Sequence, residues 1–122
     1  MAISFSYNHD YVPPAPFVEA TICSQRQEKV YAFLDSGADV TMLPEQILHD
    51  IHAPHIRTRT LRGVTGHPAK VDTYLVEVQI GEYSIPGIQA VASRKTEAII
   101  GCDVLQHLIV TLDGISSLCE IS

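Results

Sequence analysis

Apolar and polar residues alternate with a period of two along most of this chain, and that period predicts strands. Phe17, Glu19 and Thr21 fall on one side and Val18, Ala20 and Ile22 on the other, in a strand that ends at Cys23. The polar run from Ser24 to Glu28 turns the chain, and Lys29 to Leu34 is the second strand. Thr58 to Arg62 and Ala69 to Ile80 flank a turn at Gly63–His67 and predict a long hairpin. Within it, Tyr74, Val76, Val78 and Ile80 alternate with Leu75, Glu77 and Gln79, the mark of a half-buried strand. Ser84 to Ala92 is a further strand, and Pro86-Gly87 inside it signals an edge or a bulge. Ala98 to Gly101 is a short buried strand. Ile109 to Leu112 and Leu118 to Ile121, joined through Asp113-Gly114, predict a closing hairpin. Helical signals are sparse. Pro44 followed by Glu45 suits a helix start, with about two turns to Asp50 before Ala53-Pro54 ends it. Asp103 is placed to cap a second short helix running to His107 or Leu108. The expected fold class is all-β with one or two short helices.

Ahead of the first strand, residues 1–16 are polar and then proline-rich, ending in Val12-Pro13-Pro14-Ala15-Pro16. They read as an extended N-terminal arm, or as a linker from an upstream domain. Residues 17–122 form the folded domain.

One stretch breaks the alternation. In Ala32-Phe33-Leu34-Asp35-Ser36-Gly37-Ala38-Asp39-Val40-Thr41-Met42-Leu43-Pro44, an apolar run delivers a carboxylate and apolar residues then resume. A carboxylate at the end of a buried strand is costly unless it is hydrogen-bonded, protonated or paired. Ser36 offers a hydroxyl to local backbone, and Gly37 permits a tight turn or close approach by another chain. A faint internal repeat accompanies this stretch. The strand, turn and Phe33–Val40 run is echoed by Tyr74–Ile80, a turn, and Ile99-Ile100-Gly101-Cys102-Asp103-Val104. Only the first copy carries Asp-Ser-Gly.

Leu34-Asp35-Ser36-Gly37-Ala38, Gly63-Val64-Thr65-Gly66 and Ile99-Ile100-Gly101 with Asp103 stand in that order across residues 17–121. Together they resemble the catalytic loop, flap tip and second motif of the retropepsin-like aspartic proteases, the single-domain retroviral type. The resemblance implies a closed, pseudo-duplicated β-barrel whose monomer is half an enzyme. It implies an aspartic endopeptidase acting as a homodimer on a peptide or protein substrate, with no cofactor and no metal. Asp35 would be the catalytic acid and base, and Ser36 and Gly37 would support the loop. Ala38 and Asp39 would contact substrate, Val64, Thr65 and Gly66 would form the flap over residues 63–67, and Ile99 and Ile100 would line the pocket. Two positions depart from the pattern. Cys102 stands where the family often has an Arg that pairs with an Asp such as Asp39, and Ser36 replaces the commoner Thr.

Composition narrows the alternatives. The chain has 122 residues, which suits one domain, and 46% of them are apolar, enough for a core. A net charge of −6 disfavours nucleic acid as the main partner. Arg57, Arg59 and Arg62 alternate roughly as one strand face would and read as a solvated face. The N-terminus has no signal-peptide pattern, and no apolar run approaches the ~20 residues of a membrane span, so direct membrane insertion is not expected. Cys23, Cys102 and Cys119 lack metal-ligand spacing and read as reduced thiols of a cytoplasmic protein. A domain cut from a larger or membrane-tethered protein would look the same. His49, His52 and His55 recur at three-residue spacing, but Pro54 breaks any shared helix, and they read as surface histidines. The rival functional reading is a catalytically inactive, protease-like module for peptide binding or dimerisation. A structural β-domain with a chance Asp-Ser-Gly is the third.

Overall fold

The computed structural model describes residues 2–62 and 66–122, with Arg62 by its backbone alone. The element order is β1 (Ile3–Ser6), β2 (Phe17–Cys23), β3 (Gln27–Leu34), β4 (Met42–Pro44), α1 (Glu45–Asp50), β5 (His55–Arg62), β6 (Pro68–Ile80), β7 (Tyr83–Ser93), β8 (Ala98–Ile100), α2 (Cys102–Leu105), β9 (Val110–Asp113) and β10 (Leu118–Ile121). Strands run β2-β3-β8-β4-β7-β6, and β6 pairs back onto β2, so six strands close into a barrel. β5 adds to β6 outside the ring, and β1-β10-β9 form a second, three-stranded sheet. This is the retropepsin-type barrel that the three motifs imply.

Period-two alternation builds the wall. Val18, Ala20 and Ile22 of β2, and Val30, Ala32 and Leu34 of β3, point into the barrel and join one cluster with Leu43, Val78, Ala90 and Ile100. Burying such a side chain contributes ~1.5–3 kcal/mol each, so these inward positions hold the barrel shut. β3 and β8 lie parallel, with Phe33 opposite Ile99 and Leu34 opposite Ile100. The two copies of the internal repeat therefore end side by side.

Three details differ from the sequence expectation, and a fourth decides between its alternatives. The N-terminal arm contains a strand, because Ile3 to Ser6 pairs antiparallel with β10 and half-buries Ile3 and Phe5 against the core. Pro44 closes β4 and is the N-cap residue of α1 rather than its first turn. At Pro86-Gly87 the register slips by one residue against β6, and Gly87 adopts φ +73, so the expected irregularity is a bulge. α2 spans only Cys102–Leu105 with Gly101 as its N-cap, so Asp103 lies inside the helix, and its carboxylate serves another partner.

Candidate active site

β3 sends its even residues inward, so the odd ones, Phe33 and then Asp35, belong to the opposite face. Asp35 sits one residue past the strand end and is half-buried. Its N–H donates to the Ile100 carbonyl at 3.0 Å, and its carbonyl accepts the Ala38 N–H at 3.1 Å. Its Oδ1 accepts the Gly37 N–H at 2.9 Å. A Cβ on Gly37 would lie 3.2 Å from that same oxygen, so glycine keeps the turn tight without crowding the carboxylate. Ser36, Gly37 and Asp39 are exposed and Ala38 is half-buried.

The loop is stitched to the chain that leaves β8. The Cys102 N–H donates to the Ala38 carbonyl at 2.8 Å, and the Asp103 N–H to the Asp39 carbonyl at 3.2 Å. The Cys102 thiol donates to the Ser36 carbonyl at 3.1 Å. Cys102 thus braces the loop through a neutral contact where an arginine would offer a charge. Asp39 has no ion pair among the described residues.

Beneath the loop lies a polar hub in an apolar setting. Thr41 is fully buried. Its Oγ1 donates to Asp103 Oδ1 at 2.7 Å and its N–H to Asp103 Oδ2 at 3.0 Å. The same hydroxyl accepts the Gly101 N–H at 3.1 Å, and Asp103 Oδ1 also accepts the Val104 N–H at 2.9 Å. Each donor meets an acceptor, and the hub joins the exit of the first motif to the second. Thr41→Val keeps the shape but leaves the Gly101 N–H unmatched. We expect it to lose about 1–3 kcal/mol in urea melts, while Thr41→Ser loses under about 1 kcal/mol.

The hairpin that carries the expected flap is β5–β6, antiparallel from His55 opposite Tyr74 to Arg62 opposite Pro68. Val64 and Thr65 lie outside the described residues. Gly66 is exposed at φ +76, with open space around its Cβ position, so its backbone angle is what favours glycine there. Asp72 staples the hairpin base, accepting from Thr58 Oγ1 at 2.8 Å and meeting His55 Nε2 at 3.0 Å. The Thr58 bond, and then His55, hold the Asp72 pKa below its ordinary 3.8. A carboxyl whose folded pKa is depressed adds stability above its unfolded value, near 3.9, and loses it as pH falls through the folded value. Wild type should therefore exceed Asp72→Asn in hairpin amide protection at about pH 5. That margin should collapse in stronger acid, and a pH-independent difference would contradict it.

Direct cross-strand partners share a face, and the registers trace the face opposite the barrel cluster, on which Val91 and Thr73 are fully buried. Phe33 lies opposite Ile99, Ile99 opposite Met42, Met42 opposite Val91, Val91 opposite Thr73, and Thr73 opposite Arg57. Phe33, Ile99 and Met42 are half-buried, so this row forms an apolar wall on the Asp35 side. Ile100, by contrast, is fully buried in the barrel core. Sequence reasoning passed over Phe33 and Met42. The two-residue offset of Phe33 from Asp35, and the one-residue offset of Met42 from the core-facing Leu43, carried the signal.

Other candidates fall elsewhere. His49 and His52 border a cleft with Glu45 and Tyr74, while His55 turns to Asp72. No group of three His, Cys, Asp or Glu among the described residues could hold a metal ion. Cys23, Cys102 and Cys119 are unbridged, and burial pushes the Cys119 thiol up to about 11. No helix among the described residues is long and apolar enough to cross a membrane.

A family model, "gag-polyprotein putative aspartyl protease", matches residues 20–107. No curated protein matches the chain. Among solved structures, it is similar to a retropepsin-like aspartic protease from Rickettsia conorii, at 16% identity over 99% of this chain and 90% of that one, with TM-score 0.71. It is also similar to the EIAV protease in complex with the inhibitor HBY-793, at 20% identity over 84% of this chain and 93% of that one, TM-score 0.61. The retroviral protease-like domain of Ddi1 from Leishmania major matches at 22% identity over 81% of each chain, TM-score 0.54. With the family model spanning the catalytic-type loop, the hairpin and the second motif, the chain belongs to the gag-polyprotein aspartyl protease family.

Proposed function

We propose that this chain is an aspartic endopeptidase whose active site assembles from two copies, each giving Asp35. The observation that carries the reading is the setting of Asp35. It is held by three backbone contacts at the surface end of β3, on the same face as an apolar wall, and it is the chain's one Asp-Ser-Gly aspartate. Ile3, Phe5, Glu19 and Tyr31 line a separate cleft of the single chain. A half-site left open on the surface fits an enzyme completed by its partner.

Amide hydrolysis needs a base for the attacking water and an acid for the leaving nitrogen. Two carboxylates that meet across a two-fold axis supply both, because like charges in contact resist double ionisation and share a proton. The ionised Asp35 would take the water proton while its protonated twin polarises the carbonyl. The roles then exchange as the nitrogen is protonated. Ser36 and Gly37 would border the facing loop, and Ala38, Asp39, Ile99, Phe33 and Met42 would contact substrate. The β5–β6 hairpin, with its tip at residues 63–67, would close over the peptide and exclude water.

The test is sedimentation across a concentration series, paired with cleavage of a mixed peptide library between pH 4 and 7. The reading expects a dimer, cleavage, and a bell-shaped pH profile. A monomer inactive at every concentration overturns it. Tight peptide binding without cleavage would favour the inactive binding module.

A further inference from the structure

The apolar wall does not stop at the barrel. Thr73 and Arg57 end the row, and the same face continues outward along the hairpin as Arg59 opposite Val71 and Leu61 opposite Ala69. Arg57 and Arg59 are therefore on the face shared with Asp35, whereas Thr58 and Asp72 occupy the other side of the hairpin. Arg59 is half-buried and Arg57 exposed. Neither has an acidic partner among the described residues, where the ion pairs are Lys29 with Glu19 and His55 with Asp72. Arg26, Lys70, Arg94 and Lys95 also make no ion pair among the described residues, so what marks Arg57 and Arg59 is that two guanidinium groups share one face of one hairpin in a chain of net charge −6.

We infer that Arg59, aided by Arg57, is a specificity-determining residue that selects peptide substrates with an acidic side chain in an outer subsite. The row from Phe33 to Arg57 crosses five strand spacings of ~4.8 Å, or about 24 Å along a curved wall. An extended peptide rises ~3.3 Å per residue, and an arginine side chain reaches back along the face. An arginine reach of ~6 Å leaves at most about 18 Å, so the acidic residue lies up to about five positions from the bond that is cut. Nearer positions meet the apolar Phe33, Ile99 and Met42. Guanidinium suits the task because its fork matches a carboxylate in two parallel hydrogen bonds. This selectivity presupposes the peptide cleft proposed above.

The test remakes one cleaved peptide with Glu or Gln at each position two to six residues from the scissile bond. Assays run at pH 6, where a peptide Glu is ionised. Wild type should prefer Glu over Gln at one outer position by about threefold or more in kcat/KM, and salt should shrink that ratio. The ratio should fall to about one in Arg59→Gln and invert in Arg59→Glu. A wild-type ratio of one everywhere, or a ratio unchanged in Arg59→Gln, overturns the inference. If wild type cleaves nothing, a peptide selected from the mixed peptide library by binding to the full chain is remade with Glu or Gln at each position in turn and compared by fluorescence anisotropy. Tighter binding of the Glu peptide that vanishes in Arg59→Gln then upholds the inference although the peptidase reading has failed. Equal binding overturns it.

Discussion

Asp35→Asn should abolish peptide cleavage, by about 10⁴-fold or more, and leave the fold intact. Asparagine copies the shape of the side chain, and its carbonyl oxygen can still accept the Gly37 N–H that Asp35 Oδ1 accepts at 2.9 Å. The backbone bonds to Ile100 and Ala38 do not involve the side chain. What disappears is a group able to take and return a proton. General acid–base catalysis is worth 10²–10⁴-fold for one such group, and a symmetric dimer loses both copies at once. Binding of an uncleaved peptide should persist, because the apolar wall of Phe33, Ile99 and Met42 is untouched. Circular dichroism and a melt check the fold, and residual cleavage above about 1% of wild type would contradict the role given to Asp35.

Gly101→Ala should be the most damaging glycine-to-alanine change among the described residues. A Cβ there would sit 2.6 Å from both the carbonyl carbon and oxygen of Val40, and 2.9 Å from the Ala38 oxygen. These are backbone atoms of the catalytic-type loop, so no side chain can swing aside. Relief requires Ala38 and Val40 to move, which breaks the Cys102–Ala38 bond and displaces the Thr41 hub. Overpacking a rigid site costs about 1–3 kcal/mol, and a backbone clash belongs at or above the top of that range. For a domain of this size, about 3 kcal/mol is roughly a 10–15 °C drop in Tm. Gly114→Ala is the control. Nothing lies within 4 Å of its Cβ position, and the change should move stability by about 0.5 kcal/mol or less. A Gly101→Ala protein that melts with wild type would contradict the close packing of the two motifs.

Elements whose signal is local were legible. β2 matches its predicted span at both ends, because seven residues with one apolar face and a polar turn afterwards fit little else. The β5–β6 hairpin was visible for the same reason. β1 was not, since four residues carry a weak pattern and their partner, β10, lies at the far end of the chain. Asp35 stood out because a carboxylate interrupted an apolar run. Thr41 did not, although it is buried, because a threonine inside such a run is ordinary strand composition. Asp103 looked like a helix cap by position, and only the fold reveals that Thr41, 62 residues earlier, claims its oxygens. Ile99 and Ile100 read alike in sequence. Adjacent strand residues take opposite faces, so the structure sends Ile99 to the outer wall and Ile100 to the core. The arginines of β5 looked like a solvated face until the register put Arg57 and Arg59 on the Asp35 side.

The central claim is that two chains share one active site, and a mixing titration tests it most directly. Wild type and Asp35→Asn are combined at constant total concentration, allowed to exchange, and assayed for cleavage. If each site needs Asp35 from both chains, mixed dimers are dead and activity falls as the square of the wild-type fraction, leaving about a quarter at equal mixing. Activity that falls in simple proportion to the wild-type fraction would mean that one chain suffices, and would contradict the shared dyad.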